Sequence, residues 1–238
     1  MAYNVKHRVI IERISLDCPA NQTTVLLGGS GSGKSTVLKM ILGLITPKSG
    51  LIKFEDKTIS EWDKLDLRRR IGYVIQSGGL FPHLTVLANI SLVGRFLEKK
   101  PEWILSRTSE LLDLVNLNES DLIKYPHEMS GGENQRVALM RALFLDPEVL
   151  LFDEPLSALD PITRSDLQKD LKQIFNKLKK TVVLVTHDLY EASFFGQSLI
   201  LLNDGKIEQN GSVEDFLKNP KTEFSKKFIN AQNHGRSF

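Results

Sequence analysis

The sequence predicts an α/β fold in which short buried strands alternate with helices and one mostly helical segment is inserted near the middle. Three observations carry this. Runs apolar throughout and rich in β-branched residues recur at 23–28 (TTVLLG), 71–75 (IGYVI), 148–152 (EVLLF), 181–185 (TVVLV) and 198–202 (SLILL), and runs of that length suit strands buried on both faces of a mostly parallel sheet. Helical patterns lie between them, and strand alternating with helix means a doubly wound sheet. From about 78 to 141 the alternation breaks, which marks the insertion. A chain of 238 residues with 41% apolar content suffices for one large α/β domain with a sizeable core.

In chain order, the run at 23–28 leads into GGSGSGKST (28–36) and then a helical pattern, STVLKMILGL. The loop fits G-x-x-x-x-G-K-[ST] in the strand-to-helix context which that pattern requires. Glycines at 28, 31 and 33, with Ser30 and Ser32 between them, let successive N–H groups curl round a phosphate at a helix N-terminus. Lys34 is then expected to reach the β- and γ-phosphates and the Ser35 hydroxyl to bind Mg²⁺, with Thr36 beside it. The run at 71–75 ends at Gln76, whose amide can touch both Mg²⁺ and water.

The insertion opens with SGGLFPHLTVLANI and carries Trp103, Ile104, Leu111, Leu112, Leu114 and Val115 at helical spacing. It reaches the Pro-marked loop YPHE (125–128) and then MSGGENQR, where a helix with Val137, Met140 and Phe144 on one face begins. Ser130 suits its N-cap. Gly131 and Gly132 cost helix propensity, about 1 kcal/mol each, so close approach of something to this backbone is expected. The cradle has no lysine of its own and would bind a phosphate held elsewhere.

VLLFDEP (149–155) places two carboxylates at the end of a buried strand. Asp153 can hold Mg²⁺ directly or through water, and Glu154 can orient or deprotonate an attacking water. In DLQKDLKQIFNKLKK, Leu167, Leu171, Ile174, Phe175 and Leu178 form the apolar face of a covering helix. The run at 181–185 ends at Thr186 and His187, which could hydrogen-bond a γ-phosphate. Ligands of open α/β sheets bind beyond the carboxyl ends of the strands, so these strand ends are expected to converge. The last residues, NAQNHGRSF, read as a frayed tail.

Composition narrows the classes. Thirty-one basic residues against 29 acidic ones give a net charge of +2, which argues against a nucleic-acid protein relying on a basic field. The runs RRR (68–70) and KLKK (177–180) read as solvated faces. Cys18, the single cysteine, allows no internal disulfide, which suits a reducing compartment. No stretch approaches the ~18 consecutive apolar residues of a membrane helix, and the charged start is not a signal peptide. A cytoplasmic protein, held at a membrane only by partners, is the expectation.

With these residues in view, the chain resembles the ATP-binding subunits of ABC transporters over nearly its whole length. Walker A is GGSGSGKST, the Q-loop is Gln76, the signature is MSGGE, Walker B is LLFDE, the D-loop is SALD (157–160) and the switch histidine is His187. The resemblance implies a P-loop (RecA-like) NTPase core with an antiparallel β subdomain (1–77 and 142–225), a helical signature subdomain (78–141) and a short tail (226–238). It also implies Mg²⁺-dependent ATP hydrolysis with Glu154 as general base and Gln76 and His187 assisting. Two subunits would pair head to tail, a homodimer being expected, so that Ser130, Gly131 and Gly132 grip the γ-phosphate of ATP held on the opposite Walker A loop, with Asp160 of the D-loop at the nucleotide. Leu80, Phe81, Pro82 and His83 fall where the family receives its transmembrane permease subunits.

IGYVIQSGGLFPHLTV, YPHEMSGG, LSALDPITR and FLKNPKTEF look most like the ATPases of importers for quaternary amines such as glycine betaine, choline and carnitine. That places the protein on the inner face of the cell membrane, linked indirectly to a solute-binding protein. Three departures stand out. The usual signature glutamine is Glu133, the N-terminus lacks a strand, and Tyr3 is the nearest candidate to stack on adenine although its position is offset. Ending at 238, the chain has no room for the C-terminal regulatory domains of many osmoregulatory members. Other importers or exporters have similar subunits. A soluble ABC-type ATPase acting on nucleic acid would carry two cassettes or a long coiled coil, a P-loop kinase would leave MSGG and SALD unexplained, and a non-catalytic subunit would not need Lys34, Glu154 and His187.

Overall fold

The computed structural model describes residues 1–5, 8–76 and 78–234. The chain divides into two compact units, one formed by Met1–Arg68 with Thr181–Phe238 and the other by Arg69–Lys180.

In the first unit, four strands lie in the order Lys206–Ser212, Ser198–Asn203, Thr23–Leu27 and Thr181–Thr186. Thr23–Leu27 runs parallel to both neighbours, and Leu27 is in register with Thr186 and with Leu201. Val25, Leu26, Leu27, Leu184 and Val185 are fully buried, each contributing about 1.5–3 kcal/mol over an exposed position. Because of this register, Gly28 and His187 leave their strands at the same edge. The expected antiparallel portion is present as Tyr3–Val5 paired with Arg8–Ile11 and Lys53–Phe54 paired with Lys57–Thr58. Helix Lys34–Ile41 comes directly after the glycine loop.

In the second unit, Ile71–Val74 pairs in parallel with Val149–Asp153, Val74 opposite Phe152, so Gln76 and the Asp153–Glu154 pair also leave from one edge. The same unit holds the helices Val86–Phe96, Pro101–Val115 and Gly131–Leu143. Helix Pro161–Leu178 begins earlier than its apolar pattern suggests, because Asp160 caps it and Pro161 fits the first turn. Gly72 sits within its strand because a Cβ there would come within 2.5 Å of the Ala142 carbonyl oxygen.

Two expectations change. The RRR and KLKK runs are not simply solvated: Arg68 donates to the carbonyls of Leu42 and Gly43, Arg70 pairs with Glu148, and Lys180 pairs with Asp146 at 2.9 Å. Of the tail expected to fray, residues 230–234 instead continue the helix Glu223–His234, which has Ser225 and Ile229 buried further back; residues 235–238 lie outside the described residues.

Candidate functional site

The glycine loop is built for close approach. A Cβ on Gly28 would stand 2.2 Å from the Leu202 carbonyl oxygen, and Gly31 and Gly33 have φ of +79° and +103°, values that only glycine adopts cheaply. Gly29, Ser30 and Gly31 form the exposed tip, and Ser35 and Thr36 are half-buried at the start of the helix. Lys34 is buried, and its Nζ donates to the carbonyls of Gly28 and Gly29, at 2.8 Å each. Its ammonium therefore lies inside the arch of the loop. The hydroxyl of Ser32 is buried without a hydrogen-bond partner among the described residues, which fits a loop shaped round an acceptor-rich group.

Beside it, Thr186 Oγ1 donates to the buried carboxylate of Glu191 at 2.6 Å and accepts from the Asp188 N–H at 3.0 Å. Asp188 caps helix Leu189–Phe195. Gln232 Nε2 adds a bond to the carbonyl of His187 at 3.2 Å. The backbone that presents His187 is thus held from both sides, and the residue itself is exposed. Tyr3 pairs with Ile11, whose Cδ1 lies 2.5 Å from where a Cβ on Gly33 would be, so the strand pair that carries Tyr3 abuts the loop.

In the second unit, the Tyr73 hydroxyl donates to Asp153 Oδ2 at 3.2 Å. Burial, then the Asp153 charge, pushes the Tyr73 phenol well above its ordinary value, which keeps it a donor. Glu154 has a φ of +47°, left-handed and disfavoured for a residue with a Cβ. Gln76 is exposed and donates to Ser157 Oγ at 3.3 Å, and Ser157 Oγ donates to the carbonyl of Glu154 at 3.0 Å. Gln76 and Gly131 also line one cavity of about 260 Å³, with Leu80, Gln135, Pro155 and Leu159.

Ser130 is the N-cap of helix Gly131–Leu143, accepting from the Glu133 N–H, while Glu133 Oε2 takes both the N–H and the hydroxyl of Ser130 at 2.7 Å. Glu133 therefore closes a capping box, and the hydrogen bonds from Ser130 hold its carboxyl below the ordinary range. The two glycines have separate reasons. A Cβ on Gly132 would meet Thr163 Cγ2 at 2.6 Å, so the close approach expected there comes from this chain's own side chain; Gly131 is exposed, with Leu159 Cδ2 at 3.1 Å from a Cβ. Asp160 caps helix Pro161–Leu178 through the N–H groups of Ile162 and Thr163, and hydrogen bonding to Thr163 lowers its pKa. Phe81 is 42% exposed, with Pro82 and His83 exposed beside it and Leu80 half-buried. Among the described residues no three His, Cys, Asp or Glu side chains cluster as a metal site.

Sequence reasoning misses Tyr73, Gln135 and Ser157. Ser157 stands within SALD, where only its neighbour Asp160 carries an expected role; the other two carry no local signal.

A buried lysine arched by its own glycine loop at a helix start defines a P-loop nucleotide-binding protein. The chain matches the ABC transporter family over residues 11–157 and belongs to that family. It is 45% identical over 219 residues to the glycine betaine/carnitine/choline transport ATP-binding protein OpuCA of Bacillus subtilis, and 43% identical over 220 residues to the osmoprotectant import ATP-binding protein OsmV of Salmonella typhimurium. These alignments cover 92% of this chain, which spans 58% of the length of each relative. Among solved structures, the dimeric post-hydrolysis state of the ATP-binding cassette MJ0796 bound to ADP and Pi is similar, with a TM-score of 0.77 and 33% identity, covering 89% of this chain and 95% of that one. So is cbiO1 of Clostridium perfringens, with a TM-score of 0.83, 26% identity, and coverage of 99% and 92%. The α/β cassette fold expected of the sequence is the one observed. Among the described residues no helix is long and apolar enough to cross a membrane.

Proposed function

We propose that this chain binds ATP with Mg²⁺ and hydrolyses it as the energising subunit of a membrane importer for an osmoprotectant of the quaternary-amine class. The observation that carries the reading is the Lys34 loop, with its ammonium set between the Gly28 and Gly29 carbonyls and the buried Ser32 hydroxyl beside it. Lys34 and the loop N–H groups of Gly28–Thr36 bind the phosphates. Ser35, Gln76 and Asp153 offer hard oxygen ligands that suit Mg²⁺, which neutralises phosphate charge when bound.

Glu154 accepts the proton of the attacking water, Gln76 orients that water, and His187 hydrogen-bonds the γ-phosphate. Tyr3 lies against adenine. Ser130 and Gly131, with Gly132 behind them and Asp160 alongside, complete the site of a second copy paired head to tail. The permease docks on the segment Leu80–His83, exposed from Phe81 onward, which places the chain on the inner face of the membrane and links it through the permease to a solute-binding protein; no nucleic acid takes part. The dimeric cassette MJ0796 and the import relatives support this reading.

The test is ATP-dependent association of Glu154→Gln, monitored by light scattering with and without Ser130→Arg. Glu154→Gln is expected to bind ATP, keep only a small residual turnover and accumulate as a dimer that Ser130→Arg abolishes. A Glu154→Gln monomer hydrolysing at the parent rate would sink the proposal.

A further inference from the structure

We infer that Gln135 is a positioning residue for Glu154, joining the signature helix to the turn that carries the base. The inference rests on the reading of Glu154 as the residue that activates water.

Glu154 holds a left-handed backbone, with φ of +47°. A residue with a Cβ stays there only when its surroundings over-determine it. The turn after it supplies that restraint. The Glu154 carbonyl accepts from the Ser157 N–H at 3.3 Å and from Ser157 Oγ at 3.0 Å, and the next carbonyl, that of Pro155, accepts from Gln135 Nε2. The first two bonds are local. Gln135 reaches in from the helix Gly131–Leu143, five residues beyond Ser130, and it is 8% exposed.

The rest of the amide shows what this contact is for. Gln135 Oε1 is buried and has no hydrogen-bond partner among the described residues. It faces Gly78, just past Gln76, where a Cβ would stand only 3.1 Å away. Turning the amide over would put this oxygen against the Pro155 carbonyl, so the orientation is forced. A buried acceptor left unsatisfied destabilises the fold, whereas an apolar side chain of the same shape would not. Methionine at 135 would relieve that acceptor but leave another, the buried Pro155 carbonyl, without its Gln135 donor, so the two costs roughly offset and stability alone does not call for glutamine there. What the glutamine adds is one donor aimed at the carbonyl next to Glu154. From the signature helix, its amide thereby lies beside the Q-loop at Gly78 and hydrogen-bonds the base-bearing turn.

The experiment uses Gln135→Met in the full chain and in the Glu154→Gln background. In the full chain, kcat is expected to fall about tenfold, a fraction of the roughly 100-fold that a ~1 Å misplacement of a reacting group costs, while KM for ATP stays unchanged and the denaturation midpoint stays close to the parent's. In the Glu154→Gln background the same change is expected to leave residual turnover and ATP-dependent association untouched, since the base it serves is gone. Should Gln135→Met fail to fold, Gln135→Asn, which keeps the amide but shortens its reach, is expected to show the same kcat loss. Turnover within twofold of the parent overturns the inference, and so does an equal loss in the Glu154→Gln background. An unimpaired Glu154→Gln overturns the base assignment itself, and the inference with it.

Discussion

Replacing Glu133 by glutamine separates what this residue does for the helix from what it does to the nucleotide. In the structure its carboxylate takes the N–H and the hydroxyl of Ser130, both at 2.7 Å. Glutamine keeps an acceptor in the same place, so the box persists in neutral form. The loss is the charge at a solvent-exposed helix N-terminus, about 0.3–1 kcal/mol, which for a chain of this size is a fall of about 1–3 °C in Tm. The sign with pH comes from the lowered carboxyl pKa: the stabilisation is present above the ordinary glutamate value and is lost as pH falls through the folded one. Parent and variant therefore converge on acidification. Association moves the other way. If Ser130 receives the γ-phosphate of a partner's nucleotide, Glu133 opposes it with a like charge, worth about 1 kcal/mol at ~4 Å in a water-like medium. Two such sites per pair give about 2 kcal/mol, or roughly 30-fold in the association constant. Light scattering of Glu154→Gln with and without Glu133→Gln measures this at low ionic strength and at ~1 M salt, where the screening length shrinks to ~3 Å. Unchanged association at low salt, or a gain that persists undiminished at high salt, would refute the electrostatic account.

Two further outcomes concern the helical segment. Gly94→Ala places a Cβ 2.4 Å from Phe144 Cε1, a ring 1% exposed and packed edge-on against Trp103; this overpacking is expected to cost about 1–3 kcal/mol, and a urea midpoint equal to the parent's would contradict it. Asn89, fully buried, accepts from the Phe81 N–H and donates to the carbonyls of Phe81, Leu84 and Thr85. Asn89→Ala is expected to lower stability by about 1–3 kcal/mol and to speed amide exchange at Phe81, while unchanged exchange there would show that the segment is held by other means.

How much of this is legible in the sequence depends on whether a residue acts through its type or through its neighbours. The central strands can be read because burial on both faces leaves a continuous apolar run, as in Thr23–Leu27 and Thr181–Thr186. Lys206–Ser212, which reads KIEQNGS, is a strand all the same. It pairs with Ser198–Asn203 and has mostly exposed or half-buried side chains, so its pattern resembles a loop. The helix Pro161–Leu178 carries its start signal in plain view at Asp160 and Pro161, and that aspartate, which the D-loop pattern also contains, is the cap of the helix.

The functional site divides along the same line. Among the candidate residues, the glycines, Lys34, Ser35, Asp153, Glu154 and His187 can be picked out because each stands just past an apolar strand run. Tyr73 and Gln135 act across 80 and 20 residues of sequence, on Asp153 and on the Pro155 carbonyl, and a glutamine inside an amphipathic helix or a tyrosine inside a strand looks the same with or without such a task. The left-handed backbone of Glu154 is the furthest from view, since no glycine or asparagine marks it. Strain of that kind is a property of the surroundings that hold it. It becomes visible only when Ser157 and Gln135 are seen on the carbonyls of the same turn, and for that reason the predicted loss in Gln135→Met falls on turnover and spares stability.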